Sequence, residues 1–199
     1  MSDLVPWLSV SLAIVVLAGW YLYVCAVRVD RLHHRVESAR AALETQLARR
    51  AAAAMELTRV LDPATGVVLA AAAYEAQDDE EDPAGGGVSD LPDHLREEVE
   101  NDLTRAIEAA FGDPDQVDTL RRDPVAADLL DRLAQASTRV QLARRFHNDA
   151  VAHAQRMRRK RVVRWARLAG RAAMPQMVEI DDSMPSALRT ATHAWGRGT

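Results

Sequence analysis

The chain has 199 residues, 48% of them apolar and 27% charged, with a formal net charge of −4. That is room for one ordinary domain and excludes a large multi-domain enzyme. The 36 Ala and 24 Arg residues favour helix, whereas only 5% of the chain is aromatic, so a β-sandwich or barrel is disfavoured. A single cysteine, Cys25, excludes an intramolecular disulfide and a Cys-based zinc site. The near-neutral balance argues against a general nucleic-acid binder.

Leu4 to Val27 is an uncharged apolar run bounded by Asp3 and Arg28. At 1.5 Å per residue such a helix spans about 36 Å, enough for a hydrocarbon core of roughly 30 Å. Trp7 at one end and Trp20, Tyr21 and Tyr23 at the other stand where amphipathic rings anchor at headgroups. No Lys or Arg precedes the run, and it exceeds the length of a signal-peptide core, which favours a retained transmembrane anchor. Arg28, Arg31, Arg35 and Arg40 follow it. The positive-inside bias therefore predicts an N-terminus outside and the bulk of the chain in the cytoplasm of a cell membrane.

No Gly or Pro occurs between Trp20 and Asp62, so the anchor helix continues beyond the bilayer. Val29, Leu32, Val36, Ala39 and Leu43 form a coiled-coil-like seam. It breaks at Gln46 and resumes through Leu47, Ala51, Ala54, Thr58 and Leu61, a stutter. Asp62-Pro63 is read as the helix end. Val67–Ala76 is a short apolar helix. An acidic, glycine-rich loop spans 77–90. A third helix runs from about Pro92 to Phe111 with Leu95, Val99, Leu103 and Ile107 inward, stopped by Gly112-Asp113-Pro114.

The fourth helix starts at an Asp123 cap with Pro124 in the first turn. Leu129, Leu133, Ala136, Val140, Ala143, His147, Ala150, Ala154 and Met157 keep a four-three rhythm, and no Gly or Pro interrupts 125–169. Its length suits an antiparallel pairing with the first helix. Met177-Val178-Glu179-Ile180 reads as a short strand and 183–199 as a loose tail. The sum is an all-α chain in three parts. Residues 1–27 form a transmembrane anchor, 28–174 an antiparallel cytoplasmic bundle of about four helices, and 175–199 an extended or disordered tail.

This order resembles the LemA family: an N-terminal anchor, a long helix carrying Arg49-Arg50, a proline break and a long last helix. Val140-Gln141-Leu142-Ala143-Arg144-Arg145-Phe146-His147-Asn148-Asp149-Ala150-Val151 looks like the family's arginine pair, aromatic, Tyr-Asn and small-apolar pattern. His147 stands where the family usually has tyrosine. Ala173-Met174-Pro175-Gln176-Met177-Val178 resembles the family's terminal Pro-x-Val element. The resemblance implies a membrane-anchored bacterial helical bundle and lends no chemistry.

Catalytic and cofactor patterns are missing. There is no Gly-x-Ser-x-Gly elbow, phosphate loop or dinucleotide fingerprint. His33 and His34 diverge by about 100° on a helix. The pairs Asp30/His33 and Asp149/His153 have ordinary helix-surface spacing, and no Glu-x-x-His stands where a di-metal bundle would need it. Glu97, Glu98 and Glu100 are read as a solvated face. The expectation is a non-enzyme without metal, cofactor or identified small-molecule substrate. His147 falls on the buried seam, where a hydrogen-bonded core histidine that fixes register is favoured over a pH switch.

Charge segregation is the strongest chemical signal. Residues 78–118 hold 15 acids against Arg96 and Arg105, whereas 156–171 hold eight bases and no acid. Arg156, Lys160, Arg164, Arg167 and Arg171 share one helical arc. Val162, Val163, Trp165, Ala166 and Ala169 share the other, with Arg158 and Arg159 intruding on it. A basic end paired with the acidic region, a nucleic-acid surface and a contact with anionic lipid all fit such a segment. The lack of a stacking surface counts against specific nucleic acid. An up-and-down helix order returns this end to the bilayer, so Arg158, Arg159, Lys160, Arg161, Arg164 and Trp165 are candidate lipid contacts. The leading expectation is a non-enzymatic membrane scaffold or adaptor with a protein partner; the alternative is a regulator or sensor in an envelope or stress pathway.

Overall fold

The computed structural model describes residues 4–78, 93–159 and 174–189. Most of them are helical, with no strand among them: α1 Leu4–Leu57, α2 Pro63–Asp78, α3 Asp93–Phe111, α4 Pro114–Leu120, α5 Pro124–Arg158 and α6 Ser186–Arg189. The chain divides into two compact units, Met1–Ala39 with His147–Met177, and Arg40–Phe146 with Val178–Thr199. α1 and α5 each contribute to both.

Three Asp-Pro steps set the helix starts. Asp62 Oδ1 accepts the amides of Ala64 and Thr65, Asp113 Oδ1 that of Asp115, and Asp123 Oδ1 that of Val125. In each case a short carboxylate caps amides that have no helical partner, and proline occupies a position that needs no N–H. This chemistry corrects two readings. Asp62-Pro63 opens α2 rather than closing α1, which ends at Leu57 with the Thr58 hydroxyl donating to the Met55 carbonyl at 2.8 Å. Asp113-Pro114 likewise opens α4, a helix the sequence reading took only for a stop.

In the second unit, Ala51, Ala54 and Leu57 of α1 pack with Leu69 and Ala73 of α2, Leu103, Ile107 and Phe111 of α3, and Leu130 and Leu133 of α5. Leu43 and Leu47 meet Val140, while Glu56 lies 3.6 Å from Arg132. Higher positions on α1 thus face lower positions on α5, and the two segments run in opposite directions within this unit. Gly66 allows α2 to approach closely, because a Cβ there would stand 3.2 Å from the Thr58 carbonyl oxygen.

The heptad seam of α5 is buried at Leu133, Ala136, Val140, His147, Ala150, Ala154 and Met157. A second face of α5 is buried too, through Ala126, Leu130, Ala134, Ser137 and Val151. α3 differs from its sequence reading. Leu95 is exposed, and the buried stripe runs instead through Arg96, Glu100, Leu103, Thr104 and Ile107. Glu100, taken for part of a solvated face, is 1% exposed.

Residues 178–189 are neither strand nor loose tail. Ile180 packs on Leu43, Leu47 and Val140, and Met184 and Leu188 enter the main core. The predicted tail 175–199 is therefore structural at least as far as α6. The extension of α5 predicted from Lys160 to Ala169, the acidic loop from Asp79 onward and the last ten residues lie outside the described residues.

Candidate functional site

The first unit holds the apolar run of α1. Every side chain from Ser11 to Tyr21 is exposed, and α1 contains a stretch long and apolar enough to cross a membrane. Only 11% of its most apolar window is buried against protein. Among the described residues no other element covers this face. Trp20 and Tyr23 lie together near the end of the run, ring centroids 6.3 Å apart.

Beyond the run, Val29 of α1 packs with Met157 of α5, flanked by Leu32. Gln155 donates to the Pro175 carbonyl at 2.9 Å, holding the chain after α5 against that helix. Arg158 is half-buried and Arg159 exposed. Lys160, Arg161, Arg164 and Trp165 lie outside the described residues. His147 is buried at 3% exposure, on the seam position its spacing indicated.

Among the described residues no group of three His, Cys, Asp or Glu side chains is placed to hold a metal ion. His34, rather than His33, has carboxylate neighbours, with Glu37 at 3.2 Å and Asp30 at 3.9 Å on the exposed face of α1. His153 bonds the Asp149 backbone carbonyl at 2.8 Å, not its carboxylate.

The second unit contains a buried polar network that sequence reasoning did not find. Arg50 of α1 donates through Nη2 to the Glu100 carboxylate at 2.7 Å and to the Glu100 carbonyl at 3.2 Å. Its Nη1 donates to the Thr104 hydroxyl at 3.1 Å. That hydroxyl donates in turn to the Asp181 carbonyl at 2.7 Å. Thr104 is one turn after Glu100, so both side chains fall on the same face of α3.

The network continues into an extended strap, 178–184. Glu97 accepts the Glu179 amide at 2.9 Å, and the Asn101 side-chain oxygen accepts the Asp181 amide at 2.6 Å. From α5, Gln141 donates to the Asp182 carbonyl and Arg144 to the Asp182 carboxylate, both at 2.7 Å. Side chains of α3 and α5 thereby satisfy backbone groups that a sheet neighbour would otherwise serve. This explains how an extended, partly buried segment is stable without becoming a strand.

The only sequence trace of this network was the arginine pair in α1. Arg49 is exposed and Arg50 buried, a difference fixed by helix phase and the location of Glu100 50 residues later. The Glu97/Asn101/Thr104 ladder has helical spacing, but only the folded strap gives it a purpose.

No protein-family model, no curated protein and no solved structure matches this chain.

Proposed function

We propose that this chain is a single-pass membrane protein, anchored through residues 4–27, whose helical bundle acts as a scaffold or adaptor for a protein partner. The observation that carries the proposal is the uncovered apolar stretch of α1. Nine exposed apolar or aromatic side chains between Leu12 and Tyr21 are costly in water and at home in hydrocarbon. Arginines after the run and none before it support an N-terminus outside and a cytoplasmic bundle.

The packing of Val29 against Met157 supports a membrane-proximal basic end, because Val29 follows the last residue of the apolar run by two positions. Arg158 and Arg159 come directly after Met157. Lys160, Arg161, Arg164 and Trp165 follow in the sequence and complete the proposed lipid contact, where each basic residue near an anionic surface contributes on the order of 1 kcal/mol. The opposed α1 and α5 segments and the resemblance to LemA proteins favour an antiparallel bundle.

An adaptor also needs a face for its partner. Val67, Val68 and Tyr74 of α2 are exposed, as are Leu142 and Phe146 one turn apart on α5. Crosslinking the full chain in native membranes, followed by co-purification, tests the reading. A stoichiometric protein partner whose capture falls with Tyr74→Asp or Phe146→Asp supports the adaptor. A chain that captures no partner and changes structure with pH would replace it with the sensor reading.

A further inference from the structure

Residues 178–184 are held in the way a bound peptide is held. Ile180, Asp182 and Met184 turn toward the protein, while Glu179, Asp181 and Ser183 between them are exposed. Ile180 packs on Leu43, Leu47 and Val140, and Arg144 takes the Asp182 carboxylate at 2.7 Å. The main chain is read by side chains. Glu97 and Asn101 accept the Glu179 and Asp181 amides, and Thr104 and Gln141 donate to the Asp181 and Asp182 carbonyls. Main-chain bonding combined with pockets for alternate residues is how a groove takes an extended peptide.

The chain passes between its two compact units at three places. Two of them, Ala39–Arg40 and Phe146–His147, lie inside α1 and α5, where successive helical hydrogen bonds fix the backbone. The third, Met177–Val178, lies outside any helix, and Gln176 and Met177 are exposed. On one side of it Gln155 holds the Pro175 carbonyl, and on the other Glu97 holds the Glu179 amide. The backbone able to redirect the strap is confined to the few residues between these points. A short connection leading into an intact recognition element lends itself to exchange between copies.

We propose that the groove formed by α1, α3 and α5 receives residues 178–189 of a second copy of this chain, so that two copies exchange straps. The groove is complementary to this sequence: an apolar pocket for Ile180, a guanidinium for Asp182, and the main core for Met184 and Leu188. That complementarity decides for a second copy over an unrelated peptide. Exchange sacrifices none of these contacts, because each is remade between copies with the identical element. The balance between the closed chain and the exchanged dimer is then set by the connection at 177–178 and by local concentration. The proposal does not rest on the scaffold reading, since every strap contact lies within the second unit.

The test uses two differently tagged full-length chains, co-expressed and purified through one tag. The parent tags should co-purify. Ile180→Asp, which puts a charge into the apolar pocket, should reduce co-purification by about tenfold or more. Charge reversal then separates exchange from a strap that docks only on its own chain. Arg144→Asp or Asp182→Arg alone sets like charges together and should expose 178–184 to limited proteolysis. Combined in one chain, the two substitutions restore the pair and the protection. Placed on separate co-expressed chains, they restore it only across copies. Cleavage there should be about tenfold slower than in either single variant, in a complex that carries both tags. Circular dichroism checks the helices of each variant, and charge reversal decides the matter if Ile180→Asp loses them. The proposal is overturned if the parent tags do not co-purify, if a helical Ile180→Asp co-purifies as the parent does, or if only the doubly substituted chain regains protection. The scaffold reading survives each of these results, because an unrelated partner does not depend on the strap.

Discussion

Arg50 and Glu100 meet at 2.7 Å with both side chains 2% exposed, an ion pair that joins α1 to α3 inside the second unit. Removing one partner strands the other in a low-dielectric interior. Arg50→Met should therefore cost about 3–5 kcal/mol, measured by denaturant unfolding of the full chain in detergent. Adding Glu100→Leu should recover most of that loss, since a well-packed apolar pair replaces a buried ion pair at little net cost. A single variant that unfolds within 1 kcal/mol of the parent would show that the pair is dispensable.

Thr104 connects this pair to the strap. Its hydroxyl accepts from Arg50 and donates to Asp181, so Thr104→Val keeps the shape and removes both bonds. The expected cost is about 1–3 kcal/mol, the usual range for leaving buried polar groups unsatisfied. Local opening should accompany it. Limited proteolysis should cut near 178–184 sooner in Thr104→Val than in the parent, whereas Thr119→Val, whose hydroxyl bonds only its own helix, should leave the rate unchanged.

Periodicity revealed the helices because their apolar faces repeat locally. The α5 seam and its buried His147 followed from spacing alone, as did Leu43, Leu47, Ala51 and Ala54 on α1. The stripe on α3 was less legible, because its buried residues include Arg96, Glu100 and Thr104, which read as surface until Arg50 and the strap are in place. Leu95 misled in the opposite sense. The strap was the least legible element, since 178–184 has no repeat and takes its hydrogen bonds from residues 38–82 positions away. The Asp-Pro helix starts were visible at Asp123 and could have been read the same way at Asp62 and Asp113.

Asp62 gives a pH prediction. Its carboxylate is held below the usual carboxylate range, first by the Thr65 side-chain hydroxyl and then by the Thr65 amide. A depressed folded value contributes stability that is present above the unfolded value, about 3.9, and lost as pH falls through the folded one. Asp62→Asn keeps a capping oxygen without the charge. The parent should melt higher than Asp62→Asn at about pH 6, and the gap should close on acidification below about pH 4. A gap that is constant with pH would assign the cap to geometry alone.

Orientation has a direct chemical test. With Cys25 replaced by Ala, a cysteine introduced at Thr199 should be unreachable by an impermeant thiol reagent in intact cells and reactive after lysis. The expectation follows from the arginines at 28, 31, 35 and 40 and the absence of Lys or Arg before the apolar run. Labelling in intact cells would place the bundle on the outer side.

The basic end offers the last test. If the segment after Met157 lies against anionic lipid, a fragment beginning at Val29 should bind vesicles containing phosphatidylserine and not neutral ones. Binding should weaken as salt rises, because exposed charges are screened within about 8 Å at physiological ionic strength. Replacing Arg158, Arg159, Lys160, Arg161 and Arg164 with glutamine should abolish it, with helical content by circular dichroism unchanged. Five charges at on the order of 1 kcal/mol each are enough to turn measurable binding into none. If the replaced fragment binds as before, Trp165 and the apolar arc would carry the contact. If it binds no vesicle in either form but loses stability on replacement, the basic residues pair within the chain, with the acids of 78–118 as the nearest source of opposite charge in composition.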